Sequence, residues 1–173
     1  MTDLTSAAVP PVAPEDHVRG DGPEAILYLD FACPHCAAAW GEIRELPLRL
    51  ALRHFPVASK HPRAPALHAA AEAVAMQRED GFWELVDSLY ADQGHIDDPH
   101  LWERAKKMSL DLERFERDRR GDEATERVAR DFRTGIRAGI TGTPAAFAGG
   151  CALTGDIGQA LGALAAGEAP RPR

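Results

Sequence analysis

Residues 25–36 read Ala-Ile-Leu-Tyr-Leu-Asp-Phe-Ala-Cys-Pro-His-Cys, an apolar run that ends in two cysteines three positions apart. The first seven residues are typical of a strand that is buried on both faces of a sheet. Pro34 is tolerated in the first turn of a helix, because the N–H that proline lacks would have no partner there. The stretch therefore predicts a strand that leads directly into a helix extending to Glu45.

A second apolar stretch follows at once. Pro47 ends the predicted helix, and residues 48–55 form a second predicted strand that stops at Pro56. A strand, a helix and a strand within about 30 residues make a βαβ unit, whose two strands are parallel. The start of the chain therefore predicts an α/β fold.

The middle of the chain is predicted to be helical. Asp98 and Asp111 stand where the N-caps of two helices are expected, since aspartate accepts hydrogen bonds from free N–H groups of a first turn. The predicted helices here cover 66–78, 82–90, a segment from Asp98, a segment from Asp111, and 122–138. In the last of them Val128, Phe132 and Ile136 recur every four residues, which predicts one buried stripe.

The chain ends in a second group of strands. Residues 139–144 predict a loop, and Gly149-Gly150 predicts a two-residue hairpin turn between strands at 145–148 and 151–154. A short helix over 157–166 closes the pattern. The order is β-α-β, a helical block, then β-β-α.

Two terminal segments differ in composition from this pattern. Residues 1–22 are proline-rich with few large apolar side chains, and they predict a mostly disordered tail. Residues 23–167 predict a single domain, with the helical block inserted at about 65–138. The last few residues are expected to be loose as well.

Charge and composition exclude several classes of protein. The 173 residues carry 20 basic and 27 acidic side chains, a net charge of −7, with no long basic run, so we expect no nucleic-acid binding. A content of 45% hydrophobic and 27% charged residues is typical of a soluble domain, so we expect no membrane insertion. The N-terminus lacks the charged and apolar regions of a secretory signal, which predicts a cytoplasmic protein.

The two close cysteines indicate redox chemistry. Cys33 and Cys36 meet across the first turn of the predicted helix, where a small reversible disulfide is easy to form. Free N–H groups and the positive end of the helix dipole favour a thiolate at Cys33, and His35 adds a donor or a positive charge. The thiolate is the attacking form in disulfide exchange, so we expect Cys33 to be reactive.

The sequence Phe-Ala-Cys-Pro-His-Cys at 31–36, after a strand and opening a helix, resembles the active site of DsbA-like thiol–disulfide oxidoreductases of the thioredoxin superfamily. Residues 16–20, Asp-His-Val-Arg-Gly, and 53–56, Arg-His-Phe-Pro, are also similar to members of this family, including those found beside transporters. Gly-Thr-Pro at 142–144 matches the cis-proline loop of the family. The resemblance covers about residues 15–166 and implies a thioredoxin fold with a helical insertion.

The resemblance also implies roles for individual residues. Cys33 would be the exposed nucleophile and Cys36 the buried resolving thiol. Pro144 would be cis, and Thr143 would offer backbone groups to an extended substrate segment. Leu27 stands where many thioredoxin-fold proteins carry a buried acidic residue, six positions before the first cysteine.

Several residues have more than one interpretation. Asp30 is either a substitute proton acceptor for Cys36 or a strand-end residue that backbone donors hold. Cys33 and Cys36 are alternatively packed thiols or half of a zinc site, which His35, His61 or His68 would have to complete. Free cysteine is usually buried, so Cys151 is expected to be a small buried hydrophobic residue rather than a third redox thiol.

Other polar and aromatic side chains are expected to be structural. His54 lies on the predicted face of Leu50 and Leu52, where a histidine needs a hydrogen-bond partner. Four aromatic side chains are assigned to the core of the helical block, or alternatively to a substrate groove over the dithiol: Phe82, Trp83, Trp102 and Phe115.

The sequence therefore predicts a dithiol–disulfide oxidoreductase that needs neither a metal nor an organic cofactor. Its partners would be protein thiols and disulfides, or small thiols such as glutathione, and the protein would be a monomer, with a dimer as the alternative. Two other functions stay open: a glutathione-using transferase or isomerase on the same fold, and a non-enzymatic redox sensor or adaptor.

Overall fold

The computed structural model describes residues 7–169, which form one sheet and the helices packed around it. The strands are β1 (His17–Arg19), β2 (Glu24–Leu29), β3 (Arg49–His54), β4 (Ala145–Ala148) and β5 (Cys151–Ala152). The helices are α1 (Pro34–Ile43), α2 (Ala64–Ala75), α3 (Gly81–Ala91), α4 (Asp98–Lys107), α5 (Leu112–Arg119), α6 (Asp122–Arg137) and α7 (Ile157–Ala165).

The sheet has the strand order β1-β3-β2-β4-β5. β2 and β3 are parallel, with Ile26 opposite Ala51, and α1 connects them. β4 is antiparallel to β2, with Phe147 opposite Ile26, and β5 returns beside β4. This is the βαβ and ββα arrangement of a thioredoxin fold, and it confirms the predicted α/β class.

β2 is buried on both faces, as its apolar run predicts. Successive side chains of a strand point to opposite faces, so β2 contributes to two hydrophobic clusters. Leu27 and Leu29 belong to the larger cluster, which also contains Trp40 of α1. Ile26 and Tyr28 belong to the smaller cluster on the other face of the sheet.

Helices α2 to α6 lie between β3 and β4 in the chain. The carboxylate of Asp111 accepts a hydrogen bond from the Arg114 amide and caps α5, which confirms the predicted N-cap. In α4 the cap is Asp97, which accepts from the His100 amide, while Asp98 is the first helical residue. The predicted start of this helix is thus one residue too late.

The expected disordered tail is wrong for the part of 1–22 that the structure describes. Strand β1 pairs with β3, and Val9 is buried. The buried guanidinium of Arg53 explains this order, because it needs acceptors. It donates to the carbonyl oxygens of Pro10 and Pro11 and to the carboxylate of Asp16. Residues 1–6 and the last residues, 170–173, lie outside the described part.

The predicted buried stripe of α6 is only partly correct. Val128 is buried and Phe132 is half-buried, but Ile136 is 52% exposed. Four residues advance a helix by more than one full turn, so side chains spaced by four drift around its axis. Two such steps carry Ile136 off the buried face.

The aromatic side chains of the helical block also divide. Phe82 and Phe115 are fully buried, as predicted for the core. Trp102 is 38% exposed, and its indole N–H donates to the Glu116 carboxylate, so its assignment to the core is wrong. Trp83 is half-buried and stacks on Trp40.

Across residues 7–169, no helix has the length and apolar character needed to cross a membrane.

Candidate redox-active site

The two cysteines lie at the junction of β2 and α1. Cys33 is the N-cap of α1, Pro34 is its first residue, and Cys36 follows in the first turn. The Cys33 amide donates to the carbonyl oxygen of Asp30, which turns the chain from the strand into the helix. Both cysteines are free thiols, while Pro34 and His35 are exposed. Cys36 is buried, as the resemblance implies, but Cys33 is buried as well, so the exposure implied for it is wrong.

The sulfur of Cys33 is held in its anionic form. Hydrogen bonding from the Cys36 thiol, from the backbone N–H groups of Cys36 and His35 and from Thr143 lowers the pKa of Cys33 from 9.0 to about 5, against the opposing effect of burial. The backbone donors are N–H groups that a first helical turn leaves without helical partners. At neutral pH the reduced site therefore contains a thiolate.

Cys36 is held in the opposite form. Burial, followed by the hydrogen bond to the Cys33 sulfur, raises the pKa of Cys36 far above that of a free thiol. The Asp30 amide donates to the Cys36 sulfur over 3.4 Å and offsets only part of this effect. The two sulfurs thus form a pair of one thiolate and one neutral thiol.

The loop before β4 meets this pair. The carbonyl oxygen of Thr143 lies 3.7 Å from the Cys33 sulfur, and the Thr143–Pro144 peptide bond is cis. The four sequence-predicted residues of the dithiol motif, Cys33 to Cys36, and the two of this loop are therefore brought together at one place.

Asp30 lies behind the dithiol and is fully buried. Its carboxylate accepts hydrogen bonds from the amides of Ala32 and Val57, each over 2.8 Å. Burial alone would raise its pKa, but hydrogen bonding, including that from these two amides, reverses the effect and lowers it. Of the two interpretations of Asp30, backbone donors holding a strand-end carboxylate is the one that these contacts match.

Two residues of α3 and its C-terminal end complete the back of the site, and sequence reasoning missed both. The side-chain amide of Gln93 donates to the carbonyl oxygens of Phe31 and Cys33, over 3.0 and 3.1 Å. The Tyr90 hydroxyl donates to the carbonyl oxygen of Asp30 over 3.2 Å. Burial raises the pKa of Tyr90, and the nearby negative charge of Asp30 acts in the same direction. Neither residue belongs to a motif with a fixed spacing.

A chain of buried polar side chains reaches the same place from the other side. The Phe31 amide donates to Nε2 of His68, whose Nδ1 lies 2.7 Å from Nδ1 of His54. Nε2 of His54 lies 2.5 Å from Oε1 of Glu72, and Nε2 of His17 lies 2.7 Å from the same oxygen. His54 is therefore hydrogen-bonded, as its predicted buried position requires.

His17, His54 and Glu72 offer donor atoms that are suitable for a metal ion, and these atoms converge. Around a tetrahedral zinc ion with bonds of typical length, neighbouring ligand atoms are about 3.3 Å apart. The two N–O separations here, 2.5 and 2.7 Å, are shorter and match hydrogen bonds instead. No group of three or more candidate metal ligands within residues 7–169 includes Cys33 or Cys36.

Cys151 does not join the site. It is the first residue of β5 and is exposed, so its predicted burial is wrong. β5 has two residues at the edge of the sheet, and both are exposed. A strand this short at an edge leaves its side chains without a covering layer.

Two cavities flank the loop before β4, one with a mixed polar and apolar lining and one that is mainly apolar. One, of about 540 Å³, is lined by Pro144, Ala145, Phe147 and Leu153 among others. A larger one, of about 670 Å³, lies between α2, α6 and the segment after β3, and reaches Thr141. Phe82 and Phe115 line neither cavity.

A thioredoxin fold with a thiolate–thiol pair where β2 meets α1 defines the class of thioredoxin-like dithiol proteins. Within this class, the family model described as a DSBA-like thioredoxin domain matches residues 25–163. The chain belongs to the DsbA-like thioredoxin domain family, which is a family of oxidoreductases.

Solved structures agree with this fold. A thioredoxin-like oxidoreductase from Silicibacter pomeroyi DSS-3 superposes with a TM-score of 0.75 at 23% identity, covering 90% of this chain and 92% of that one. The thiol-disulfide exchange protein alpha-DsbA2 from Wolbachia pipientis superposes with a TM-score of 0.74 at 18% identity, covering 83% and 81%. BdbD from Bacillus subtilis gives 0.75 at 15% identity, covering 87% and 90%.

Curated relatives carry a different kind of name. The chain is 38% identical over 152 residues to Na(+)/H(+) antiporter NhaA 3 of Salinispora tropica, covering 81% of this chain and 22% of the relative. It is 36% identical over 165 residues to Na(+)/H(+) antiporter NhaA of Herminiimonas arsenicoxydans, covering 88% and 25%. The chain thus spans only about a quarter of the length of these relatives.

Proposed function

We propose that this protein exchanges disulfides with the thiols of other proteins through the Cys33–Cys36 pair. The observation that carries the proposal is the opposite ionisation of two neighbouring sulfurs. The pKa of Cys33 is lowered to about 5, while that of Cys36 is raised. A thiolate attacks at neutral pH, and a protonated neighbour waits until a mixed disulfide has formed.

The proposed exchange has two steps. In the first, the Cys33 thiolate attacks a partner disulfide, a bond forms between Cys33 and one partner sulfur, and the other partner sulfur leaves and takes up a proton. In the second, Cys36 loses its proton and attacks Cys33, which releases the first partner sulfur as a thiol. The partner gains two electrons and two protons, and Cys33 and Cys36 are left as a disulfide; the reverse sequence oxidises a partner dithiol.

The loop before β4 supplies the proposed substrate contact. Thr143 carries its carbonyl oxygen 3.7 Å from the attacking sulfur, so an extended partner segment beside it would present its own sulfur to Cys33. The cavity next to Pro144, whose lining is both polar and apolar, would accept a side chain of that segment. Partner recognition would then combine backbone hydrogen bonds with one side-chain pocket.

Ion transport is not part of this proposal. The antiporter names belong to relatives of which the chain spans about a quarter. The cytoplasmic location and the monomeric state that the sequence suggests stay predictions, which fractionation of the source cells and light scattering would check.

Trapping a mixed disulfide tests the proposal. In Cys36→Ser, the Cys33 thiolate can attack a partner disulfide but nothing resolves the product, so a covalent adduct with an oxidised, disulfide-containing test protein should accumulate. Cys33→Ser should give no adduct and no exchange, and Cys151→Ser should behave as the unmodified protein. Full exchange activity in Cys33→Ser would refute the proposal.

The same assay separates the two alternative functions. A sensor would react once for each molecule, whereas the proposed enzyme turns over many partner disulfides when a glutathione buffer regenerates it. A glutathione-using transferase or isomerase would bind glutathione saturably in Cys36→Ser without forming protein adducts. Either result would replace the proposed function.

A further inference from the structure

The chain of buried polar side chains behind the dithiol has a task that the exchange steps do not describe. His54 and His68 are fully buried, and Glu72 is nearly so. Each ring nitrogen of these two histidines has one hydrogen-bond partner, which is the Phe31 amide for Nε2 of His68 and another of these side chains for the other nitrogens. Such a closed arrangement has a definite distribution of protons.

The Phe31 amide fixes that distribution. A backbone N–H can only donate, so Nε2 of His68 must accept and carries no proton. A neutral His68 then carries its proton on Nδ1 and donates it to Nδ1 of His54. His54 carries its own proton on Nε2 and donates it to the Glu72 carboxylate.

The protonation states of His68 and Glu72 agree with this assignment. Burial lowers the pKa of His68 to about 4, so the ring is neutral at physiological pH. Burial alone would raise the pKa of Glu72, but hydrogen bonds from His17 and His54 reverse this, so the group stays a carboxylate. This row of hydrogen-bonded side chains thus ends in an acceptor, the Glu72 carboxylate. At its other end a second acceptor, Nε2 of His68, lies at the redox site.

The Phe31 amide, which donates to this acceptor, belongs to the segment that positions Cys33. Phe31 lies two residues before Cys33, and its ring stacks on His68 with 4.0 Å between ring centres. The other side of the residue is held as well, because Gln93 donates to the Phe31 carbonyl oxygen. The peptide groups of Phe31 are therefore fixed from α2 and from the end of α3.

We propose that His68, oriented by His54 and Glu72, is a positioning residue that favours the reduced thiolate form of the dithiol over the disulfide. The proposal rests on the proposed redox function of Cys33 and Cys36. In the disulfide form a covalent bond fixes both cysteines to each other. In the reduced form only hydrogen bonds keep the Cys33 sulfur at the donors of α1, so loss of the Phe31 contact harms the reduced form more.

Two substitutions and a control test this preference. His68→Leu removes the acceptor, His68→Gln restores one on a shorter side chain, and His95→Leu makes the same change at an exposed histidine. The equilibrium constant between each protein and a glutathione buffer is measured. His68→Leu leaves the buried Phe31 amide without its hydrogen-bond acceptor, which is costly. Because this cost is larger in the reduced form, we expect the equilibrium constant with glutathione to shift toward the disulfide by about threefold or more. His68→Gln should recover part of the shift, and His95→Leu should show none.

A purely structural role predicts a different result. If His68 only stabilised the fold, His68→Leu would destabilise the oxidised and the reduced protein equally, and the equilibrium constant would not move. An unchanged constant in a folded variant therefore overturns the proposal. If the unmodified protein forms no Cys33–Cys36 disulfide in the buffer, the proposed function fails, and that result is distinct from this one.

A measurement on the unmodified protein keeps the proposal testable should His68→Leu not fold. Coupling between two equilibria is reciprocal, so a contact that favours the reduced form must itself change when the disulfide forms. Nitrogen-15 NMR should show Nε2 of His68 without a proton in the reduced protein, and its shift and the Phe31 amide exchange rate should both change on oxidation. A protonated Nε2, or identical values in the two redox states, would overturn the proposal.

Discussion

The sulfur of Cys33 lies 3.7 Å from the carbonyl oxygen of Thr143, although 110 positions separate the two residues in the chain. The contact joins the start of α1 to the loop before β4, so the attacking atom and the proposed substrate-binding backbone belong to opposite halves of the fold. A carbonyl oxygen repels a thiolate, and the N–H groups of α1 attract it. The hydrogen bond from the Cys36 thiol adds to this attraction, and together they lower the pKa of Cys33.

The ionisation of Cys33 predicts a pH dependence. In the reduced Cys151→Ser protein, the rate of alkylation by iodoacetamide should rise with a midpoint near pH 5, because the pKa of Cys33 is about 5 and only the thiolate reacts. In urea the midpoint should return toward the usual value of 9.0. A midpoint near 9 in the folded protein would contradict the assignment.

The same pKa shift is linked to stability. A group whose pKa is lower in the folded state stabilises the fold fully above its unfolded pKa, and this contribution is lost as the pH falls through the folded value. The reduced protein should therefore gain stability over reduced Cys33→Ser between about pH 5 and pH 9, by about 1.4 kcal/mol for each pKa unit. Urea unfolding of both proteins across this range measures the difference, and a constant difference would exclude the thiolate.

The two hydrogen bonds of Gln93 predict a defect at the site. Gln93→Ala leaves the buried carbonyl oxygens of Phe31 and Cys33 without this donor, which should cost about 1–3 kcal/mol of unfolding free energy. Exchange with a test disulfide should slow, since Cys33 is less firmly placed. The exposed Gln159→Ala is the matched control. Equal behaviour of the two variants in both assays would show that Gln93 does not position the site.

The ordered N-terminal segment predicts a large effect of Asp16. Its carboxylate pairs with Arg53 at 2.8 Å, and both side chains are about 95% buried. Removing one partner of a buried ion pair typically costs about 3–5 kcal/mol, so Asp16→Ala should lower the unfolding free energy by that order. Glu15→Ala, next to it and more exposed, should cost little. Equal midpoints of urea unfolding for both variants would mean that the segment does not stabilise the domain.

The exposure of Cys151 predicts a simple thiol count. Once Cys33 and Cys36 have formed a disulfide, the folded protein should contain a single thiol that reacts with Ellman's reagent, and Cys151→Ser should remove it. Exchange activity should be unchanged in this variant, because Cys151 lies outside the site. A loss of activity would instead assign Cys151 a redox role.

The part of the site that follows local rules could be predicted from the sequence. The apolar run of β2, the proline at the start of α1 and the spacing of Cys33 and Cys36 are all encoded within twelve residues. Only the family resemblance predicts that the loop with Thr143 and Pro144 meets Cys33, because no local pattern indicates this contact. The same local rules predict the caps of α4 and α5 to within one residue.

The remaining parts depend on contacts that no local pattern contains. His68 and Gln93 reach the Phe31 backbone from 37 and 62 positions away, and each is a single polar residue in a helical region. The order of the N-terminal segment depends on Arg53, whose buried guanidinium requires acceptors from 37 to 43 positions earlier. A proline-rich composition alone predicts disorder, because it does not show that the buried Arg53 guanidinium needs hydrogen-bond acceptors from this segment.

The two hydrogen bonds that hold the Phe31 backbone have a consequence for protein engineering. Its amide and its carbonyl are both held by side chains from the inserted helices, His68 on α2 and Gln93 beyond α3. A thioredoxin fold without the inserted helices that received only the four-residue Cys-Pro-His-Cys motif would lack both of these hydrogen bonds. A chimera should therefore inherit the motif without its reactivity, unless the helical segment is grafted along with it.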